Sequence, residues 1–166
     1  MASETTRWLS DEQQRDWRAL VLGTQLLFDR LDAELSSDFG ISLTEYEILV
    51  RLSERPGRQM RMAQLADSLA HSRSRVTHTI KRMEAAGLVS RCDATDDGRG
   101  VFAVLTDAGV AMLERASHHH VAGVRQHLVD LIEPADLAAI GRAFNTVSDA
   151  LVYGHPEAEI RSHTGS

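Results

Sequence analysis

The stretch from Ser72 to Leu105, SRSRVTHTIKRMEAAGLVSRCDATDDGRGVFAVL, narrows the folds open to this chain more than any other. Arg73 to Ala86 reads as a basic helix that stops at Gly87. Leu88 to Cys92 and Val101 to Leu105 alternate as strands do, and the Asp/Gly-rich residues between them make a hairpin tip. A short helix over Met62 to Leu69 and the turn Ala70-His71-Ser72 come just before. Helix, turn, helix and hairpin in this order make a winged helix-turn-helix.

The flanks are helical. From Asp11 to Leu35 the residues Trp17, Leu20, Val21, Thr24, Leu27, Phe28, Leu31 and Leu35 recur at steps of three and four, marking a long amphipathic helix that Ser36 to Gly40 ends. A second helix is expected to begin near Thr44, whose hydroxyl can cap it while Glu47 completes a capping box, and Pro56-Gly57 close it. Thr106 can cap a helix running through Leu113, Ser117, His120, Val124, Leu128 and Leu131. Pro134 suits the first turn of the last helix, where Leu137, Ile140, Phe144, Val147 and Leu151 repeat at three and four. These outer helices carry apolar stripes with no sheet to cover them, so pairing with each other and with a second copy is expected. The fold class is therefore mainly α with a small β wing, a winged helix-turn-helix lobe inserted in a helical dimerisation lobe. Residues 1–40 form the N-terminal dimerisation helix, 41–105 the winged lobe and 106–152 the C-terminal dimerisation helices, with 153–166 a polar tail expected to lack fixed structure.

A net charge of −6 looks wrong for a nucleic-acid binder until it is divided along the chain. Residues 1–40 carry four Arg against eight acids, residues 41–105 ten Lys and Arg against eight, and residues 106–166 four against eight, giving −4, +2 and −4. A basic middle between acidic flanks confines a DNA footprint to one lobe. Ser72, Arg73, Ser74 and Thr77 lie at the helix start, where free N–H groups also favour phosphate. Arg75 and His78 point further into a groove, and Lys81 and Arg82 extend the basic face. Arg91 and Arg99 on the hairpin can reach the neighbouring backbone. Each arginine alone could equally be a solvated surface residue, but Glu84 is the only acid among residues 71–91.

Asp97-Gly98-Arg99 followed by Val104-Leu105-Thr106-Asp107-Ala108-Gly109 resembles the wing signature of the MarR family of bacterial transcription regulators. With Leu65-Ala66, the stretch from Val76 to Arg82 and Glu84 to Val89, the resemblance covers roughly residues 10–152. It implies a homodimer that binds pseudo-palindromic double-stranded DNA, commonly as a repressor released by a small ligand, an oxidant or a metal. It also implies that Arg99 reaches the minor groove or its phosphates while Asp97 holds the wing conformation.

Other chemistry is weakly marked. Among the eight histidines, helical-wheel positions put His120 and His127 on one face with Leu113, Val124 and Leu131, and turn His118 and His119 away. Zinc needs three or four ligands, and the pair Glu114 and His118 has no evident third, so neither metal nor cofactor is expected. His120 could instead line a pocket between the outer helices and the winged lobe. Trp17 with Arg18 would offer that pocket an aromatic face and a guanidinium, suiting a small aromatic or phenolic effector, although a tryptophan on such a stripe is more often simply core. Cys92, the only cysteine, cannot form an internal disulfide, and a strand position favours burial over redox sensing. No Gly-rich phosphate loop, GxSxG or HExxH motif supports an enzyme. The alternative function is a helical protein-interaction adaptor with a winged fold that does not bind DNA; such a module should lack the basic helix that this chain keeps. No apolar run approaches the roughly 18 residues of a membrane span, and the N-terminus shows no export signal, so a cytoplasmic place is expected.

Overall fold

The computed structural model describes residues 6–93 and 100–151. Its first element, α1 (Asp11–Phe39), starts at a capping box in which Ser10 Oγ accepts from the Gln13 N–H and Gln13 returns a bond to the Ser10 N–H. It ends at Gly40, whose φ of 70° fits the left-handed cap that glycine takes without strain. Only Leu31 and Leu35, in its last turns, are buried. Helix α2 (Leu43–Ser53) is capped by Ser42 with Glu45, two residues earlier than the pairing of Thr44 with Glu47 that the sequence suggested. Both pairs have the Ser/Thr-x-x-Glu spacing. The earlier one wins because Asp32 on α1 also accepts the Leu43 N–H at 2.7 Å, fixing where α2 begins.

A three-residue strand that the sequence did not disclose, β1 (Gln59–Arg61), follows a turn at Pro56–Arg58. Three residues are too few for alternation to declare itself. Helices α3 (Met62–Ser68) and α4 (Arg73–Ala85) form the helix-turn-helix, and β2 (Val89–Asp93) and β3 (Val101–Leu105) the wing. The sheet is antiparallel with order β1-β3-β2; Met60 lies opposite Ala103, and Val89 opposite Leu105. This lobe owns the core. Ile48, Leu49 and Leu52 of α2, Leu65 of α3, Val76, Ile80 and Met83 of α4, and Val89, Ala103 and Leu105 of the sheet are buried together, joined by Leu35 of α1 and Ala116 of α5.

Helix α5 (Asp107–Val124) starts at a tight joint. Thr106 Oγ1 donates to the Gly87 carbonyl at 2.7 Å and accepts from the Gly109 N–H at 3.0 Å, while the Thr106 N–H donates to the Leu88 carbonyl. A Cβ at Gly109 would stand 2.2 Å from the Leu88 carbonyl oxygen and 2.6 Å from Leu105 Cδ1. The Leu-Thr-x-x-Gly stretch is therefore a structural joint between strand and helix. Helix α5 continues into a π turn over Arg125–Val129, and α6 (Pro134–Leu151) follows with no buried residue.

The π turn corrects the single uninterrupted helix expected here, because one extra residue per turn shifts the faces beyond it. His127 Nε2 comes within 2.8 Å of Glu34 Oε1 on α1. His119, expected to point away, bonds Asp38 Oδ2 at 3.1 Å and packs edge-on against Phe39. Two faces of α5 are covered, one by α1 and one by the winged lobe, so a single apolar stripe could not describe it. The wing tip, with Asp97, Gly98 and Arg99, and the tail from residue 153 lie outside the described residues.

Candidate nucleic-acid interface

Val76, Thr79, Ile80 and Met83 turn inward on α4, and this one choice decides what the helix shows outside. Arg73, Ser74, Arg75, Thr77, His78, Lys81 and Arg82 are all exposed. Ser72 is the N-cap, its hydroxyl accepting from the Arg75 N–H at 3.3 Å. Thr77 Oγ1 donates to the Arg73 carbonyl at 2.8 Å, leaving its lone pairs and methyl group outward.

Two arginines expected on this surface are engaged elsewhere. Arg82 Nε donates to Glu45 Oε1 at 2.8 Å, and Glu45, 6% exposed, also accepts from the Ser42 N–H. Arg82 thus ties α4 to the start of α2. The reason is that Glu45 is buried by the capping geometry and needs a cation, and position 82 lies on the side of α4 facing α2. Arg91 is held by Glu84, with its Nη2 at 2.7 Å and its backbone N–H at 3.2 Å from that carboxylate. The bonds from Arg91 are the main reason that the Glu84 carboxyl is held below the ordinary range. Glu84 and Glu45 are therefore each paired with an arginine, Arg91 and Arg82, and Arg73, Arg75 and Lys81 are exposed on the outer face of α4.

The proposed wall of Trp17 and His120 does not assemble within one chain. His119 lies level with Asp38 and Phe39 of α1, and Trp17 stands roughly 30 Å further along that helix at 1.5 Å per residue. Trp17 is 57% exposed, Arg18 bonds Gln14 on the same helix, and His120 packs against Tyr46 with ring centroids 4.5 Å apart. Among the described residues, no group of three or more His, Cys, Asp or Glu side chains could hold a metal ion. Cys92, expected to be buried, is exposed because it lies on the outer face of β2.

Burial holds His120 below the usual imidazole range, helped by neighbouring His119. His71, just before the cap of α4, is lowered by burial and then by Arg75. For both, the unfolded chain takes up protons that the folded one resists, so folding stability falls as pH drops through about 6.5. In urea titrations between pH 7 and pH 5, a His71→Gln/His120→Gln variant should lose less stability than wild type; equal losses would show that these imidazoles do not set the slope.

With the geometry of the basic helix in place, comparison with known proteins is decisive. A model described as MarR family matches residues 39–100. The HTH-type transcriptional regulator PecS of Dickeya dadantii (strain 3937) is 32% identical over 120 residues, 69% of this chain and 70% of PecS. The chain belongs to the MarR family. The crystal structure of AbsC, a MarR family transcriptional regulator from Streptomyces coelicolor, is 43% identical and superposes with a TM-score of 0.83 over 88% of this chain and 98% of AbsC. Sco3205, a MarR family transcriptional regulator of the same organism solved in complex with DNA, is 38% identical, with a TM-score of 0.86 over 90% of this chain and 93% of its own. The MarR winged helix is thus both the fold and the DNA-binding class of this chain. Among the described residues, no helix is long and apolar enough to cross a membrane.

Sequence reasoning missed Glu45, the residue that occupies Arg82. A Ser-x-x-Glu pair at 42 and 45 was visible, but an equally spaced pair at 44 and 47 masked it.

Proposed function

We propose that this regulator binds an inverted-repeat operator as a homodimer, with α4 of each copy in a major groove and the wing on the adjacent minor groove. The observation that carries the reading is the outer face of α4: seven exposed polar or basic residues from Arg73 to Arg82, with the neighbouring acid Glu84 already paired. Ser72, Arg73, Ser74 and Lys81 hold phosphates, Arg75 and His78 read base edges, and Arg99 with Asp97 serves the wing. Support for the second copy comes from α1 and α6, where Leu20, Val21, Phe28, Ile140, Phe144 and Val147 lie exposed in long stripes. Residues 1–40 and 106–152 then form the pairing lobe around the reading lobe of residues 41–105. Such a protein works where the chromosome is, in the cytoplasm, and acts as a repressor released by a small aromatic or phenolic effector.

Fluorescence anisotropy with genomic operator candidates tests this directly. Binding should require half-sites about 10 base pairs apart, and light scattering should give twice the chain mass at micromolar concentration. Arg75→Ala should lose roughly ten-fold in affinity and relax preference at one base pair. Unchanged affinity and preference would remove Arg75 from base reading. Titrating the complex with aromatic acids and phenols addresses release; an unaffected complex would discard that effector class.

A further inference from the structure

We propose that Gly123, Glu34 and His127 form a brace between α1 and α5 that sets the distance between the two reading helices of a dimer, and so the operator spacing it accepts. The inference rests on the reading of two half-sites bound by two copies given above. Each long helix is rooted in the winged lobe by its own link: Asp32 of α1 accepts the Leu43 N–H at 2.7 Å, and Thr106 ties the start of α5 to the Gly87 carbonyl at 2.7 Å. Asp38 meets His119 and Glu34 meets His127, so the two helices run antiparallel away from that lobe. Beyond the crossing, the first half of α1 and the length of α6 expose apolar residues such as Trp17, Phe28, Ile140 and Phe144. A second copy held there acts on the reading helices through the crossing.

A few atoms hold the two helices at this point. A Cβ at Gly123 would stand 2.8 Å from Glu34 Oε2 and 3.1 Å from Leu31 Cδ2, so the close approach depends on a glycine. Glu34 Oε1 meets His127 Nε2 at 2.8 Å and accepts from Arg30 Nε at 2.7 Å, which fixes the carboxylate over Gly123. The bond to His127 is the main reason that the Glu34 carboxyl lies below the ordinary range, and an ionised acceptor makes such bonds strong. His127 belongs to the π turn Arg125–Val129, and turns of this kind occur frequently at functional sites. Apolar interlocking does little to fix the angle. Of α1 only Leu31 and Leu35 are buried, and beside the brace a cleft of about 490 Å³ opens between the helices, with Ala33, Ser37, Ala122 and Gly123 among its lining residues. The second pair, His119 with Asp38, is more exposed and contributes less. Helix α1 extends about 30 Å past Leu31 at 1.5 Å per residue, so a tilt of about 6° moves its far end by about 3 Å, one base-pair step. An angle at the brace thereby becomes a spacing on DNA.

Spacing preference is the readout that a merely structural role would leave alone. The probes are the operator found by anisotropy, the same duplex with one base pair added or removed between the half-sites, and a duplex holding one half-site. Wild type should favour the native spacing on the order of 100-fold, because altered spacing prevents both copies from engaging at once. His127→Leu removes the partner of Glu34, and Gly123→Ala displaces its carboxylate. Each should cut the preference by about ten-fold and leave affinity for the single half-site at the wild-type value. His127→Gln keeps an N–H donor for Glu34 and should retain most of the preference. Circular dichroism and light scattering establish that the variants are folded and dimeric. Gly123→Ala carries the test even if His127→Leu fails there, since alanine is the better helix former and the atoms it meets are side-chain ends. A wild-type preference in folded, dimeric Gly123→Ala, or an equal loss on every duplex, would overturn the brace. Wild type that binds no duplex, or binds every spacing equally, would remove the two-half-site reading itself, whereas a preference shared unchanged by wild type and all three variants removes the brace alone.

Discussion

Gly109→Ala should cost about 3 kcal/mol of folding stability, lowering the melting temperature by roughly 10 °C for a chain of this size. A methyl group placed 2.2 Å from the Leu88 carbonyl oxygen cannot be accommodated by a side-chain rotation, because the obstacle is backbone. That carbonyl also accepts from the Thr106 N–H at 3.2 Å. Moving it loosens the bonds that join the end of β3 to the start of α5. The cost far exceeds the gain of up to about 1 kcal/mol that alanine brings to a helix over glycine. Thermal melts with guanidinium titration measure it, and a midpoint equal to wild type would mean that the joint relaxes without loss.

Arg82→Ala should be the next most costly change, at about 2 to 3 kcal/mol. It leaves Glu45 with its carboxylate buried and its guanidinium partner gone. Water reaches the Arg82 side, which is 56% exposed, so the loss stays below that of a fully buried pair. Glu45→Gln should cost less, since its carbonyl can still accept from the Ser42 N–H. The double variant should lose less than the sum of the single losses, because each single change removes the same pair. On DNA, Arg82→Ala should leave the salt slope unchanged, the behaviour of a positioning residue that makes no phosphate contact. A slope shallower by one would return Arg82 to the DNA surface.

Much of the fold was legible because long stripes declare themselves. The spacing from Trp17 to Leu35, the repeat from Leu137 to Leu151 and the basic run before Gly87 each survive small errors of boundary. Short or interrupted elements did not show. The strand at Gln59–Arg61 is held by its register against β3 and has no pattern of its own. The π turn at Arg125–Val129 carries the contact of His127 with Glu34, which lie far apart in sequence. The candidate site was read in the same way. Exposure along α4 follows from local periodicity, so Arg73, Arg75, His78 and Lys81 could be placed. Whether an arginine is engaged depends on a tertiary partner, and neither the Arg82 link to Glu45 nor the separation of Trp17 from His120 is written in spacing.

An 18-residue helix with no buried residue makes the integrity of this protein a matter of mass action. If a second copy is what covers α6, the free energy of folding includes an association step, and the melting temperature climbs with protein concentration. Dilution then weakens the pairing helices before it touches the reading lobe, whose core from Ile48 to Leu105 is closed within one chain. The number of copies in a cell would therefore set how much of the population can span two half-sites, independently of any ligand.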